Sequence, residues 1–385
     1  MKLVVSVKLL PTPEQAVALA DTVRTANAAA TWLAEQARSA VRRGRVELQR
    51  EYYQHVKAMG LSAQPTLHVI RKVADAFTTR AANLAAGNYG PKGSRRRERV
   101  ENAPIRFRSD AAQPFDDRCL SWQHENCTVS VWTTAGRLKD LLFAGSADQL
   151  ETLRMYRKGE TDLVHRDGMW FLYATCEVPE VEESEPGGWI GVDLGLANIA
   201  TTSTGYRAAG RGLRRHRERQ RKLRAKLQAK GTRSAKRVLK RQRRKESRRA
   251  ADINHRISRR IVVEAQRTAC GIGLEVLTGI RERVRLRKPQ RAALHSWAFH
   301  QLGSFIEYKA RRAGVAVVLV DASYTSQTCR SCGHVDRANR PRQALFCCRS
   351  CGFVEHADRN ASHNIAVRAA KLWGSGALSA APAPA

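Results

Sequence analysis

Four cysteines and three acids stand where their types and spacing could do chemistry. Cys329-Arg-Ser-Cys332 and Cys348-Arg-Ser-Cys351 are each followed by glycine and are separated by fifteen residues. Two such knuckles bring four thiolates to one tetrahedral Zn²⁺, and the glycine after each pair supplies the turn. Cys347 could replace Cys348, but only Cys348 makes the second pair a Cys-x-x-Cys. Disulfides suit neither this spacing nor the rest of the nine cysteines, since Cys119, Cys127, Cys176 and Cys270 lie singly in apolar or strand-like surroundings. A reducing compartment with one metal site is expected.

Asp193 is the one acid in the apolar run Trp189-Ile-Gly-Val-Asp-Leu-Gly-Leu-Ala-Asn-Ile-Ala-Thr201, which reads as a buried strand. Glu275 lies in a second short apolar strand, Gly271-Ile-Gly-Leu-Glu-Val-Leu277, and Asp358 opens what reads as the first turn of a helix. An unpaired carboxylate is costly to bury. Three that converge at strand ends suit two Mg²⁺ ions, because Mg²⁺ prefers hard oxygen ligands and the carboxylates repel one another without it. Each acid alone has a plainer use: a turn or cap residue for Asp193, a strand-end surface acid for Glu275, an N-cap for Asp358.

The charge of the chain points to its partners. A formal charge of +33 and a pI near 10.8 imply a polyanion, most simply nucleic acid. Residues 207–249 carry 21 Lys and Arg against two Glu, Glu218 and Glu246, and contain no Trp or Phe. A merely solvated helical pair would mix both signs of charge. Tracking a phosphate backbone fits better, with Arg214, Arg215, Arg221, Lys222, Lys236, Arg237, Lys240 and Arg241 as candidate contacts. Arg281 and Arg283, just past the Glu275 strand, are further candidates to bind phosphates, or else belong to a solvated turn. No apolar run is long enough to span a membrane. Lys8 interrupts the first apolar stretch and no small-residue cleavage site follows it, so a signal peptide is not expected.

The elements that must position these residues follow from period and punctuation. Leu3, Val5, Val7 and Leu9 alternate as in a half-buried strand. Thr12-Pro-Glu-Gln15 is a capping box with Pro13 at the first helical position. Val17, Ala20, Val23, Ala26, Ala30 and Leu33 then mark one helical face, and Leu67, Ile70, Val73, Phe77, Ala81 and Leu84 a second. Gly93 to Arg99 reads as a basic connector. Cys127 to Trp132 and Met169 to Val178 are the clearest strands of a small β-domain closed by the first strand. Pro179 to Gly188 is acidic and Gly/Pro-rich, and reads as a linker. Beyond the basic segment, the period predicts a helix over 253–269, an amphipathic helix over 291–313 that packs Trp297 and Phe299, and a buried strand over 315–320. Asn360 and His363 lie beside Asp358 and could touch a phosphate, though a cap or surface role is the plainer reading. From Gly374 a Ser/Ala/Pro tail is expected to be disordered.

The order strand-Asp, strand-Glu, helix-Asp places all three acids along one edge of an RNase H-like sheet. With Gly-Val-Asp193-Leu-Gly, Leu-Glu275-Val-Leu-Thr-Gly-Ile-Arg, Tyr324-Thr-Ser-Gln-Thr-Cys329-x-x-Cys-Gly, Phe346-x-Cys-x-x-Cys-Gly and Asp358-x-Asn-Ala, the chain resembles the RuvC and zinc-ribbon motifs of TnpB proteins. These are encoded by bacterial insertion sequences and related to compact type V CRISPR effectors. The resemblance covers residues 188–372; the N-terminal half matches only in layout.

What the resemblance implies is an α/β multidomain protein: an RNase H-like RuvC domain with an inserted zinc ribbon, preceded by a β-barrel wedge domain with a helical recognition insertion. The wedge domain would take 1–10 and 88–179, the recognition domain 11–87 and the linker 180–188. The nuclease domain would take 189–322 and 357–372 with its basic helical insertion at 207–249, the zinc ribbon 323–356 and the tail 373–385. The implied activity is RNA-guided DNA endonuclease, in which Asp193, Glu275 and Asp358 are catalytic and hold two Mg²⁺, while Cys329, Cys332, Cys348 and Cys351 hold one structural Zn²⁺. Its partners would be a guide RNA from the transposon end and double-stranded target DNA with an adjacent motif, with no membrane and a monomer in the bacterial cytoplasm, at the nucleoid. A nuclease-inactive RNA-guided regulator should have lost a carboxylate, and this chain has all three. A guide-free accessory to transposition predicts no bound RNA, and a zinc-ribbon ribosomal or RNA-processing factor leaves the three acids unexplained.

Overall fold

Thr12 starts the first helix through local bonds: its hydroxyl accepts the Gln15 N–H at 3.3 Å and the Gln15 side chain accepts the Thr12 N–H at 3.0 Å. The computed structural model describes residues 1–38, 44–276 and 299–376, which fall into two compact units, Met1–Pro179 and Glu180–Ala385. The first unit holds β1 (Lys2–Leu9), α1 (Pro13–Gln36), α2 (Arg45–Ala58), α3 (Ala63–Ala85), α4 (Arg95–Asn102), β2 (Gln113–Phe115), β3 (Leu120–Gln123), β4 (Thr128–Thr133), β5 (Gly136–Ala144), α5 (Ala147–Tyr156), β6 (Arg157–Arg166) and β7 (Met169–Glu177). Its strands form one antiparallel near-barrel sheet in the order β2-β6-β7-β1-β5-β4-β3. β1, the strand expected to close this domain, occupies the middle of the sheet and joins the β6-β7 pair to β3-β4-β5.

Two local readings differ from the structure. Val17 belongs to the expected apolar face of α1 but is exposed, and the buried stripe begins at Leu19. The basic connector after Gly93 is partly helical, because Ser94 caps α4 through the Arg97 N–H and an Arg97–Glu101 pair at 2.8 Å supports its face.

The second unit holds β8 (Gly188–Asp193), β9 (Asn198–Thr202), β10 (Arg207–Ala209), α6 (Arg211–Lys230), α7 (Arg233–Arg267), β11 (Cys270–Val276), α8 (Phe299–Arg312), β12 (Val317–Asp321), β13 (Leu345–Cys347), β14 (Val354–His356) and α9 (Ala357–Gly374). The main sheet runs β10-β9-β8-β11-β12, antiparallel through β10, β9 and β8, then parallel from β8 through β11 to β12. The basic segment and the helix expected after it are one unit from Arg233 onward: α7 carries no Gly or Pro to break it, and after Ala235 near its start the buried face resumes at Asn254, Ile257 and Ile261. The expected linker is fastened to this unit, since Ser184 N–H donates to Gly314 O at 3.0 Å, Gly187 N–H to Ala269 O at 2.9 Å, and Trp373 Nε1 to Glu185 at 2.8 Å. Trp373 and Gly374, expected in the tail, are helical, and residues 377–385 of that expected tail lie outside the described residues.

Helix α9 lies against the sheet because two strand residues have no side chain. A Cβ on Gly191 would stand 1.9 Å from the Ser362 carbonyl oxygen, and one on Gly273 would stand 2.7 Å from the Ala369 Cβ. Trp373 near the end of α9 meets Trp189 at the start of β8, with ring centroids 5.5 Å apart. The helix therefore runs antiparallel to β8, and its first turn lies at the strand end that carries Asp193. Gly191→Ala should push α9 off the sheet, because the obstructing atoms are backbone and cannot rotate away. We expect a loss of about 3 kcal/mol or more, read as a lowered midpoint in thermal or urea unfolding.

Candidate active site and zinc knuckles

The parallel register of β8 and β11 decides where the first two acids stand. Leu274 is opposite Val192, so Glu275 is level with Asp193 at the ends of adjacent strands. Glu275 is 8% exposed, and its Oε1 accepts the Leu194 N–H at 2.9 Å. Asp358 comes from the first turn of α9, where its Oδ2 accepts from Asn198 Nδ2 at 2.8 Å and its Oδ1 from the Arg340 guanidinium at 3.3 Å. Burial holds the Asp193 carboxyl well above the usual range, and the charges of Glu275 and Asp358 push it further. Burial likewise raises Glu275 to about 7, against the pull of the Leu194 N–H and of a hydrogen bond from Asp193. Three carboxylates from three elements thus share one partly dry site with one guanidinium beside them, a donor set that fits hard divalent cations.

The four cysteine sulfurs lie within 4.8 Å of one another, with Cys329–Cys351 at 3.7 Å and Cys332–Cys348 at 3.6 Å. Tetrahedral Zn²⁺ with Zn–S bonds near 2.3 Å needs sulfurs about 3.8 Å apart, so the set fits zinc. Gly333 and Gly352 close the knuckles at φ of 77° and 72°, each donating its N–H to the first cysteine's carbonyl. The N–H of Cys351, and then that of Ser350, lowers the Cys348 thiol to about 6, toward the thiolate that a metal requires. Cys347 lies in β13 outside this group.

The basic candidates are all on the surface: Arg214, Arg215, Arg221 and Lys222 on α6, and Lys236, Arg237, Lys240 and Arg241 on α7. Arg221 is partly engaged by Glu218 at 2.7 Å, and Arg224 joins α6 to α7 through Glu246 at 2.6 Å. Arg281, Arg283 and Trp297 lie outside the described residues, and of Phe299 only the backbone is described. Asn360 is neither a cap nor a surface residue. It is fully buried, accepting from Arg330 N–H at 3.1 Å and donating to Thr328 O at 2.8 Å. His363 is half-buried on the same helix, and burial and Arg330 lower its pKa. Sequence reasoning missed Asn198 and Arg340. Asn198, five residues past Asp193 across a tight hairpin, could have been suspected; nothing distinguishes Arg340 among the other arginines of the ribbon.

Residues 173–274 match the OrfB_IS605 family model, described as a probable transposase, and residues 299–365 match the Cas12f1-like TNB domain. The chain is 42% identical over 83 residues to a TnpB-like protein of Methanocaldococcus jannaschii, covering 21% of this chain and 30% of that one. Over these stretches the chain is similar to TnpB-family proteins. The chain is also 40% identical over 115 residues to the CRISPR-associated endodeoxyribonuclease Cas12f1 of Sulfoacidibacillus thermotolerans, covering 30% of this chain and 26% of that one. Its matches thus span under a third of the length of these relatives. Among solved structures it is similar to CasPhi-2 (Cas12j) bound to crRNA, at 11% identity and a TM-score of 0.49, covering 100% of this chain and 99% of that one. Among the described residues, no helix is long and apolar enough to cross a membrane.

Two outcomes test this geometry. Elemental analysis should find one zinc per chain in the wild type and in Cys347→Ser, and none in Cys348→Ser. For the acids, the sign follows from carboxyls raised on folding. Their contribution to stability is complete below the unfolded range near 4 and is lost as pH rises through about 7 for Glu275. In zinc-loaded, Mg²⁺-free buffer, Glu275→Gln should gain melting temperature relative to wild type between pH 5 and 8, and added Mg²⁺ should reverse that gain.

Proposed function

We propose that this chain is an RNA-guided DNA endonuclease of an insertion sequence, hydrolysing phosphodiester bonds at a RuvC-type site. The observation that carries the reading is the meeting of Asp193, Glu275 and Asp358 at adjacent strand ends and one helix start, where their mutual repulsion is stable only with protons or divalent cations. The sheet order, three antiparallel strands followed by two parallel ones, supports the RNase H-like assignment. So do the names of relatives, one a TnpB-like protein and another an endodeoxyribonuclease.

Asp193, Glu275 and Asp358 would hold two Mg²⁺, which when bound supply an activated water and stabilise the charge that develops on the phosphate and the leaving oxygen. The chain's own residues arrange that site. The Leu194 N–H anchors Oε1 of Glu275 beside Asp193. Asn198 and Arg340 orient Asp358 from opposite sides, one from the main sheet and one from the ribbon. Burial of Asp193 and Glu275 keeps water from screening the charges that act on the scissile phosphate. No side chain is needed as nucleophile. The exposed Lys and Arg of α6 and α7 neutralise backbone phosphates without reading sequence, so a guide strand supplies the choice of target.

Plasmid cleavage in Mg²⁺ tests the reading, with protein co-expressed with its native downstream DNA and compared with Asp193→Ala. Linear product should appear with wild type, require the co-purified RNA, and fall by at least about a hundredfold in the variant. RNA and target binding by both proteins with cutting by neither would overturn the nuclease reading in favour of a guided regulator.

A further inference from the structure

The zinc knuckles and the carboxylate site are joined by buried amides. Asn360 shares the first turns of α9 with Asp358, and its side chain spans a zinc-ligand cysteine from both sides. Its Oδ1 accepts the Arg330 N–H at 3.1 Å, and its Nδ2 donates to the Thr328 carbonyl at 2.8 Å, with Cys329 between them. Asn364, one turn further, donates to Thr325 O at 2.8 Å and to Thr328 O at 2.7 Å. Within the ribbon, Asn339 ties the two knuckles together by accepting from Arg349 N–H at 2.8 Å and donating to Gln327 O at 2.9 Å.

We infer that Asn360 is a positioning residue, which locks the first zinc knuckle to the first turn of α9 and so holds the Asp358 carboxylate in place for divalent cations. The inference rests on the metal-site reading above. The first N–H groups of a helix lack intrahelical partners, and such a turn frays unless something outside the helix fastens it. Asn198 and Arg340 hold only the carboxylate of Asp358; the backbone of its turn is fastened by Ala357 N–H to Ala344 O at 3.0 Å, by the capping His356, whose Nδ1 accepts the Asp358 N–H at 3.3 Å, and by Asn360. All three fasteners lead into the ribbon. Mg²⁺ accepts little departure from octahedral geometry, and a ligand must stay within about 0.5 Å of its place. A ribbon made rigid by its four thiolates therefore sets the cation affinity of a site to which it gives no ligand, a linkage that runs in both directions. The position needs one donor and one acceptor without exposure. Asparagine provides both, whereas Asp cannot donate to the Thr328 carbonyl.

The test uses the full zinc-loaded chain and Mn²⁺ as probe, with free Mn²⁺ followed by electron paramagnetic resonance for wild type, Asn360→Ala, Asn360→Asp and Asp193→Asn. The expected result is one zinc per chain throughout, Mn²⁺ binding about tenfold weaker in Asn360→Ala, and a smaller loss in Asn360→Asp. The Mn²⁺ concentration for half-maximal cleavage should shift by the same factor, while the rate at saturating Mn²⁺ changes less. Unchanged Mn²⁺ affinity in both Asn360 variants overturns the inference. So does loss of zinc from both, which would make Asn360 a residue that only holds the ribbon together. If Asp193→Asn abolishes Mn²⁺ binding and Asn360→Ala weakens it, yet the wild type cuts no guided target, the positioning role stands and the nuclease reading falls. If Asp193→Asn binds Mn²⁺ as well as wild type does, the metal site and the inference fall together.

Discussion

The contact of α9 with the bare faces of Gly191 and Gly273 is the constraint on which the second unit depends. With side chains at those positions the helix would stand further from the sheet, and its first turn would no longer reach the ends of β8 and β11. The core on that face is small, built from Val318, Val320, Ile365 and Ala369 with Trp189 and Trp373 beside them. Closeness rather than bulk therefore fixes the helix. The same contact settles the direction of α9, because the two tryptophans mark one end of the antiparallel pair and two acids mark the other.

Placing three carboxylates together has an electrostatic cost, and the surrounding structure manages it unevenly. Asp358 has a guanidinium and an amide at its oxygens, and Glu275 has one backbone N–H. Asp193 has burial and two negative neighbours. The ribbon contributes to this balance from outside the sheet, since Arg340 belongs to the stretch between the knuckles. Its insertion immediately before α9 is economical in geometry: the chain leaves β12, folds around the cysteines, and returns through β14 directly into the turn that carries Asp358.

How much of this was legible follows the range of each physical signal. Interactions spanning a few residues are written locally. The Thr12 capping box, the Cys-x-x-Cys-Gly knuckles and the apolar runs around Asp193 and Glu275 were readable for that reason. Long-range facts leave no local mark. The register that sets Leu274 opposite Val192 depends on parallel pairing across an intervening helical segment, and the bond from Arg340 to Asp358 depends on how the ribbon returns to the helix. α2 fell within the helical reading of 11–87 without a period of its own, because it buries only Leu48 and Val56. Asn360 was visible, but its role was not, since a buried amide near a helix start looks the same in sequence as a solvated one.

The length of α7 has a mechanical meaning. Thirty-five residues without a break make a rod of about 50 Å, whose last third is clamped by Ile257, Ile261, Val262 and Ala265 while its first half is braced by α6, with Ala235 buried and Glu246 paired to Arg224. Such a rod behaves as a braced beam. A load applied near Lys236 acts with a long moment arm on the clamped end, which leads within a few residues into β11 and Glu275. A flexible basic tail of the same composition could attract a polyanion equally well, but it could transmit neither torque nor distance to the strand that follows.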